Sequence, residues 1–241
     1  MPPLLSIIIP AHNEQDRLPA SLEKVLAFLR SQEYSAEIII VENGSSDSTA
    51  EIARQAAERH PQVRWIQEPL AGKGRAVRSG MLGAEGEYRF ICDADLSMPI
   101  EEVNRFLPPH AQSYDIAIAS REVPGAVRYD EPAYRHWIGR VFNWLVRAIT
   151  LPGLQDTQCG FKCFRAKTAI DLFPLQTIHG WTFDVEILFL ALRRGYQVIE
   201  IPIPWFYNPG SRVRIVKDSL HMLSDLFRIR WNALRGRYDG E

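Results

Sequence analysis

Five short apolar runs, separated by helix-like segments, set the pattern of the first 120 residues. They are Ser6–Ile9, Glu37–Val41, Val63–Gln67, Tyr88–Cys92 and Asp115–Ala119. Because each run is apolar almost throughout and does not alternate, it is typical of a strand buried on both faces of a parallel sheet. The β-α-β order requires right-handed crossovers. The sequence therefore predicts an α/β fold with a doubly wound, mostly parallel sheet, flanking helices and ligands at the carboxyl ends of the strands.

The segments between these runs carry helical signals. An apolar stripe at helical spacing extends from Leu18 to Leu29, between the first two runs. Ser48 and Glu51 have the spacing of a capping box, which predicts a helix that begins there and ends before Pro61.

After Ser120 the pattern changes, and the predicted elements are mostly helical. Helices are predicted at Ala133–Ile149, Phe183–Arg194 and Val213–Leu234, and short strands at Gly160–Phe164 and Gln197–Ile201. Because no flexible linker separates the two halves, we expect residues 1–241 to form one domain.

Composition excludes several classes of protein. Hydrophobic residues at 46% and charged residues at 24% are ordinary for a globular chain and exclude disordered and fibrous proteins. A net charge of −1 argues against a chain whose main partner is nucleic acid. The odd number of cysteines (Cys92, Cys159 and Cys163) is not a disulfide framework, so we expect reduced cysteines in a cytosolic protein.

The sequence shows no sign of export or of a membrane span. Its N-terminal segment lacks the basic stretch and long apolar core of a signal peptide. No stretch approaches the roughly 18 uncharged apolar residues of a transmembrane helix. We therefore expect any membrane contact to be peripheral, on the cytoplasmic face.

The sharpest chemical signal is Asp93-Ala94-Asp95, directly after the apolar run Tyr88–Cys92. Alternate residues of an extended segment point the same way, so the two carboxylates can share one cation. Hard oxygen ligands of this kind suit Mg²⁺ or Mn²⁺. The alternative is an ordinary loop in which one acid caps a helix near Pro99.

Four motifs stand at the ends of predicted strands. They are Ile9-Pro10-Ala11-His12-Asn13-Glu14, residues 41–47, residues 72–76 with Gly80, and Asp93-Ala94-Asp95. In this order and spacing they resemble the motifs of family 2 glycosyltransferases, of which the first two read P-x-x-N-E and V-D-D-G-S-x-D. The resemblance implies a GT-A fold and inverting transfer of a sugar from a nucleotide diphosphate sugar. It also implies a set of donor-binding residues, which are Pro10, Ala11, Asn13, Glu14, Glu42, Asn43, Lys73, Asp93 and Ala94.

Later motifs narrow the resemblance. Residues 119–121, 156–162 and 180–186 resemble the dolichyl-phosphate glucosyl- and mannosyltransferase branch, and Gln158–Lys162 is nearer to its glucosyl members. The resemblance implies transfer of a hexose to a dolichyl or polyprenyl phosphate at a membrane surface, with UDP-glucose favoured and GDP-mannose as the alternative donor. Residues 1–120 would bind the nucleotide sugar, and residues 121–241 would bind the acceptor.

Two departures from the family pattern concern the donor. Glu42-Asn43 stands where members usually have two aspartates, which puts the carboxylate contact to the base in doubt. Ser97 stands where the mannosyl enzymes have glutamine, and it is a weaker metal ligand. Other nucleotide-binding classes fit less well, because Gly72-Lys73-Gly74 lacks the P-loop pattern and no G-x-G-x-x-G follows the first strand.

The resemblance assigns a metal to the acid pair. Mg²⁺ or Mn²⁺ held by Asp93 and Asp95 would offset the charge of the leaving diphosphate, with Asp95 as a catalytic residue. Lys73 either adds a donor at the nucleotide or is a solvated loop lysine.

A phosphate monoester has a second pKa of about 6, so the acceptor is already largely ionised at neutral pH. It therefore needs positive charge to hold it beside the donor more than it needs a general base. Arginine suits bidentate phosphate binding, and the candidates are Arg121, Arg135 and Arg212, each with a plain surface role as its alternative. Asp156, a third catalytic candidate beside Asp95 and Arg121, either acts on the acceptor or pairs with a nearby cation.

Three further expectations concern the second half. Asp184 and Glu186 should face the site from the start of a helix, and the cation paired with Asp156 would be Lys162 or Arg165. Residues 133–150 and the last helix combine tryptophans with arginines, as interfacial helices do. The alternative for both is a helix packed on the sheet whose arginines extend to solvent. A non-lipid acceptor and a nucleotide-sugar-binding module without turnover are the alternative functions.

Overall fold

The structure, a computed structural model, describes residues 2–208 and 215–239, and for residues 215–217 the backbone alone. The strands are β1 (Leu5–Ala11), β2 (Ala36–Asn43), β3 (Val63–Glu68), β4 (Tyr88–Ile91), β5 (Ile116–Ser120), β6 (Val127–Tyr129), β7 (Lys162–Arg165), β8 (Val198–Pro202) and β9 (Pro204–Phe206). The α-helices are α1 (Leu18–Arg30), α2 (Thr49–Arg59), α3 (Lys73–Gly83), α4 (Ala133–Ile149), α5 (Ala166–Leu172), α6 (Phe183–Arg193) and α7 (Ile215–Leu234). Short 3₁₀ helices occupy Ile100–Phe106 and Phe173–Leu175.

Seven strands form one sheet in the order β3-β2-β1-β4-β7-β5-β8. The pairs β1–β2, β2–β3, β1–β4 and β5–β8 are parallel, while β7 runs antiparallel to both of its neighbours. The predicted mostly parallel, doubly wound sheet is thus confirmed.

The central strands are apolar throughout because both of their faces are buried. In β1, Ile7 and Ile9 pack into one core beneath α1, α2 and the first 3₁₀ helix, whereas Ile8 packs into a second core beneath α3 to α7. Alternate residues of a strand point to opposite faces, so one run of isoleucines supplies two cores.

The capping prediction for α2 is right about the position and wrong about the bond. The helix begins at Thr49, yet the Ser48 side chain makes no capping hydrogen bond. Instead, Oδ1 of Asp47 accepts a hydrogen bond from the backbone N–H of Thr49 at 3.0 Å. Asp47, one residue before Ser48, thus satisfies an N–H group at the start of the helix.

The second half contains a small sheet that the sequence does not predict. Strands β6 and β9 pair in parallel apart from the main sheet, and Tyr129 stacks on Phe206 at 4.6 Å between ring centroids. Helices α4 and α6 lie where they were predicted. The predicted start of α7 at Val213 falls outside the described residues. Within the described part of the chain, no helix combines the length and the apolar character needed to cross a membrane.

Helix α3 approaches the sheet closely because Gly80 has no side chain. A Cβ atom at Gly80 would lie 2.9 Å from Cγ2 of Val41 and closer still to Cγ2 of Ile8.

Gly80→Ala should therefore lower the free energy of unfolding by about 1–3 kcal/mol through overpacking. Gly139→Ala, in α4, is the matched control, because a Cβ atom there has no neighbour within 4 Å. It should raise stability by up to about 1 kcal/mol through helix propensity. Urea unfolding of both variants checks the signs, and equal effects would contradict this account.

Candidate active site

A cavity of about 890 Å³ opens at the carboxyl ends of β1 and β4. The loops after β1, β2 and β4 form one side of it, and α4, α6, α7 and the segment after β9 form the other. Most of the predicted site residues line it, namely Pro10, Asn13, Glu14, Asn43, Lys73, Asp93, Ala94, Asp95, Arg121 and Arg135.

Three of the predicted donor-binding and catalytic residues do not line the cavity, and one predicted acceptor-binding residue lies outside the described residues. Ala11 and Asp156 are buried behind the wall. Glu42 is also buried, and its Oε1 accepts a hydrogen bond from the N–H of Ser45 at 2.6 Å. This carboxylate holds the turn after β2, so the structure does not bring it to the donor side. Arg212 is the residue outside the described ranges.

The first two motifs hold each other in place. Oδ1 of Asn13 accepts a hydrogen bond from the N–H of Ser46 at 2.7 Å, and the N–H of Asn13 donates to Oγ of Ser45 at 3.0 Å. The His12 ring donates from Nδ1 to the carbonyl of Asn43 at 2.8 Å. Gly44 has a φ of +67°, which favours glycine in the turn. The motif spacing thus reflects one interlocked pair of loops.

The acid pair follows β4 as predicted, and one of its members forms an ion pair. Nζ of Lys73 lies 2.6 Å from Oδ1 of Asp93 and 5.4 Å from the ring centroid of Trp181. Burial acts to lower the pKa of Lys73, but Asp93 more than offsets this and the pKa is raised. Oδ1 of Asp95 accepts a hydrogen bond from the N–H of Ser97 at 3.1 Å. Burial and the charge of Asp93 raise the pKa of Asp95.

The acid pair fits a divalent cation that is shared with a substrate. Among the described residues, no three His, Cys, Asp or Glu side chains cluster as a complete metal site. Mg²⁺ commonly binds to one or two carboxylates and completes its shell with water and substrate phosphates. Burial, and after it the charge of Asp93, raises the pKa of Asp95, and a cation bound here would favour the charged form of both acids. Gly160 packs so closely on Asp93 that a Cβ atom would overlap its Oδ2, so this glycine leaves room for the carboxylate.

Arg121 reaches the cavity from the end of β5, and Asp156 holds it. Nε and Nη2 of Arg121 donate to the two carboxylate oxygens of Asp156 at 2.7 and 3.0 Å, and its backbone N–H donates at 2.9 Å. Burial would raise the pKa of Asp156, but Arg121 lowers it to about 2. Asp156 therefore pairs with Arg121, and neither Lys162 nor Arg165 is its partner. A carboxylate held in this way is a weak base.

Arg135 lies on α4 and is held by an aromatic residue. Its Nη1 donates to the hydroxyl of Tyr207 at 2.9 Å, and its guanidinium lies 5.2 Å from the ring centroid of Tyr207. No carboxylate of the described residues lies within salt-bridge distance of Arg135, so its charge is available to an anion.

The two acids at the start of α6 differ in position. Asp184 lines the cavity and pairs with Nζ of Lys162 at 3.1 Å. Glu186 is fully buried and does not line it, so the expectation that both acids face the site is wrong for Glu186. Residues two apart on a helix point in different directions.

Sequence reasoning missed the aromatic wall of the cavity. Trp205 and Tyr207 line it, and the guanidinium of Arg121 lies 5.5 Å from the ring centroid of Trp205. They belong to or follow a strand of three residues, which is too short for a periodic signal. The run of aromatic residues at positions 205–207 is the one signal that could have indicated them.

Comparisons with known proteins identify the family of the chain. The family model described as Glycosyl transferase family 2 matches residues 6–173. The chain is 35% identical over 246 residues to "Dolichyl-phosphate beta-glucosyltransferase" of Dictyostelium discoideum, and the aligned region covers 96% of this chain and 75% of that protein. It is 33% identical over 254 residues to the protein of the same name from Saccharomyces cerevisiae, and the aligned region covers 97% of this chain and 76% of that protein.

A solved structure shares the fold. Glucosyl-3-phosphoglycerate synthase from Mycobacterium tuberculosis, in complex with Mn²⁺, UDP and glucosyl-3-phosphoglycerate, matches with a TM-score of 0.68 at 14% identity. The match covers 99% of this chain and 81% of that one. The predicted GT-A fold is confirmed.

The pairing of Asp156 with Arg121 predicts a pH-dependent contribution to stability. The pKa of Asp156 is about 2 in the folded protein against an ordinary value of 3.8. Its contribution is therefore present above about pH 4 and is lost as the pH falls towards 2. Asp156→Asn should lower the free energy of unfolding by about 3 kcal/mol at pH 7, because it removes the buried carboxylate that holds the partly buried Arg121. Urea unfolding at pH 7, 4 and 3 should show this difference narrowing below pH 4. A difference that stays constant over that range would contradict the assignment.

Proposed function

We propose that this chain, which belongs to glycosyl transferase family 2, transfers glucose from UDP-glucose to a dolichyl or polyprenyl phosphate. Membership rests on the family match over residues 6–173 and on relatives at 33% and 35% identity. The names of those relatives support the glucosyl group and the dolichyl-phosphate acceptor. The alternatives are GDP-mannose as the donor and a non-lipid acceptor.

One observation carries the proposal: a single cavity receives an acid pair from the end of β4 and two arginines from β5 and α4. The acids suit a cation that accompanies a diphosphate, and the arginines suit a second anion. A transferase that joins two anionic substrates needs both ends. A module that only binds a nucleotide sugar would not need the arginine end of the cavity.

The donor belongs at the end of the cavity formed by the loops after β1, β2 and β4. Asp93 and Asp95 would hold Mg²⁺ or Mn²⁺, which supplies Lewis-acid stabilisation of the departing diphosphate when bound. Lys73 adds a positive charge beside Asp93. The synthase complex described above contains UDP with Mn²⁺, so the shared fold accommodates this pair of ligands.

The acceptor belongs at the arginine end. A phosphate oxygen of the acceptor attacks C1 of the sugar, the bond from C1 to the diphosphate breaks, and UDP leaves with configuration at C1 inverted. Because the acceptor phosphate is already ionised near neutral pH, the step needs no strong base. Asp156 is compatible with such a step, because a carboxylate whose pKa Arg121 lowers to about 2 is a weak base. Arg135 and Arg121 would orient the phosphate.

Helices α4 and α7 would rest on the membrane surface. In α4, Trp137 and Trp144 are 70% and 64% exposed, so the alternative in which they pack on the sheet does not hold for these two side chains. In α7, Leu234 is 81% exposed. The exposed apolar stripes of the two helices are Tyr134, Trp137, Ile138, Val141 and Trp144, and Leu220, Phe227, Trp231 and Leu234. Arginines accompany both stripes, as in helices that bind anionic lipid surfaces.

Transfer can be tested directly. Purified protein with Mn²⁺ or Mg²⁺, a short polyprenyl phosphate and labelled UDP-glucose should form a product that extracts into organic solvent. GDP-mannose in place of UDP-glucose should give much less product. Nucleotide binding without transfer or hydrolysis of any donor would instead favour a binding module.

Asp95→Asn sharpens the same assay, because it removes a charge and keeps the shape of the side chain. Loss of several kcal/mol of stabilisation corresponds to a fall in kcat of at least about a hundredfold. Asp171→Asn, outside the cavity, is the matched control and should keep most of the activity. Wild-type turnover by Asp95→Asn would remove the role assigned to this acid.

Vesicle flotation tests the membrane surface. The double variant Trp137→Ala/Trp144→Ala should bind vesicles that contain anionic lipid at least tenfold more weakly, because it removes two exposed interfacial side chains. Leu82→Ala/Ile170→Ala is the control, since these side chains are also exposed but lie outside both stripes. Equal flotation of the two double variants would contradict the assignment of the surface.

A further inference from the structure

Glu186 is a fully buried carboxylate that is held by hydrogen bonds alone. Its Oε2 accepts from the N–H groups of Thr177 and Ile178 at 2.9 and 2.8 Å. Its Oε1 accepts from the hydroxyls of Thr177 and Tyr238, each at 2.6 Å. No lysine or arginine of the described residues forms a salt bridge with it. Four donors on one buried acid make a firm connection between two distant parts of the chain.

The first of these parts is the segment of residues 176–181, which packs against residues 72–74, the N-cap and the beginning of the first turn of α3. The N–H of Gly74 donates to the carbonyl of His179 at 2.9 Å, and Nε2 of Gln176 donates to the carbonyl of Gly74 at the same distance. A Cβ atom at Gly72 would lie 2.6 Å from the carbonyl oxygen of His179. The two backbones therefore approach each other at a distance that only glycine permits.

This contact determines what residues 72–74 present to the cavity. Lys73 is the middle one of the three, and Trp181 ends the segment that packs on them. Both residues line the cavity, with Nζ of Lys73 5.4 Å from the ring centroid of Trp181 and 2.6 Å from Asp93. The position of this charge consequently depends on where the segment of residues 176–181 sits.

The second part is the end of α7 and the residues that follow it. Nδ2 of Asn232 donates to Oγ1 of Thr177 at 3.0 Å and to the hydroxyl of Tyr238 at 3.3 Å. Asn232 and Tyr238 are buried, and neither they nor Glu186 line the cavity. They contact the segment from behind.

We propose that Glu186, Asn232 and Tyr238 are positioning residues that hold the segment of residues 176–181 against residues 72–74. In this way they place Lys73 and Trp181 for the diphosphate of the donor. The inference rests on the proposed function, in which this end of the cavity binds a nucleotide diphosphate. It assigns a role in donor binding to the last residues of the described chain.

Tyr238→Phe tests the inference, because it removes one hydroxyl and leaves the ring in place. Calorimetric titration with UDP and Mn²⁺ should show a Kd about tenfold higher than that of the wild type. The KM for UDP-glucose should rise while the KM for the acceptor stays unchanged. Tyr196→Phe is the matched control, since Tyr196 donates to Oδ2 of Asp171 at 2.8 Å, a similar bond that does not involve the cavity. Tyr238→Phe should lose more thermal stability than Tyr196→Phe, because its hydroxyl is buried, and Tyr196→Phe should keep the wild-type Kd.

The outcomes separate the inference from the proposed function. If the wild type binds UDP and Tyr238→Phe binds it equally well, the positioning role is overturned and the donor site stands. Equal weakening of UDP binding in both tyrosine variants would also overturn it, because the effect would not depend on the network around Glu186. If the wild type fails to bind UDP with Mn²⁺, the proposed donor site itself is wrong.

Discussion

The cavity depends on the parallel ladder that joins β2, β1 and β4. Ala11 pairs with Glu42, so β1 and β2 end at nearly the same level of the sheet. Ile91, the last residue of β4, pairs with Ile8, three residues before the end of β1, and the acid pair follows from there. A slip of one residue would exchange the two faces of each strand and move Ile8 into the wrong core, so burial fixes this register. The packing of the strands therefore sets the position of Asp93, independently of the contacts that its own side chain makes.

Charge is distributed unevenly along the cavity that this ladder creates. At the proposed donor end, Lys73 pairs with Asp93, while burial and then the charge of Asp93 raise the pKa of Asp95. At the other end, Asp156 takes up most of the charge of Arg121, and Arg135 stays available. Each end thus attracts what the other repels: a cation with its diphosphate at the acids, and a second anion at the arginines. In the proposed function, this separation would place two negatively charged substrates at opposite ends of one cavity.

The sequence predicted those features that follow from burial, and it failed where a side chain had several directions open to it. Apolar runs followed by polar motifs located the strands and the acid pair, because burial leaves few alternatives. The direction of Glu42 could not be read in this way, since its carboxylate turns back to the N–H of Ser45. Glu186 looked like a companion of Asp184, but two positions along a helix turn it towards the core. The partner of Asp156 comes from a strand that is distant in sequence, and periodicity carries no signal for such a pair.

Helix α7 belongs to two parts of this arrangement at once. Trp231 is exposed on the stripe proposed to face lipid, and the next residue, Asn232, is buried in the network around Glu186. Adjacent positions on a helix differ by about 100° in direction, so one rigid element can serve the outer surface and the interior together. If α7 rests on a bilayer as proposed, the hydrogen bond from Asn232 to Thr177 connects this helix to the segment of residues 176–181 beside Lys73. In the proposed function, the surface that meets the acceptor lipid and the group that meets the donor would therefore be supported by the same helix.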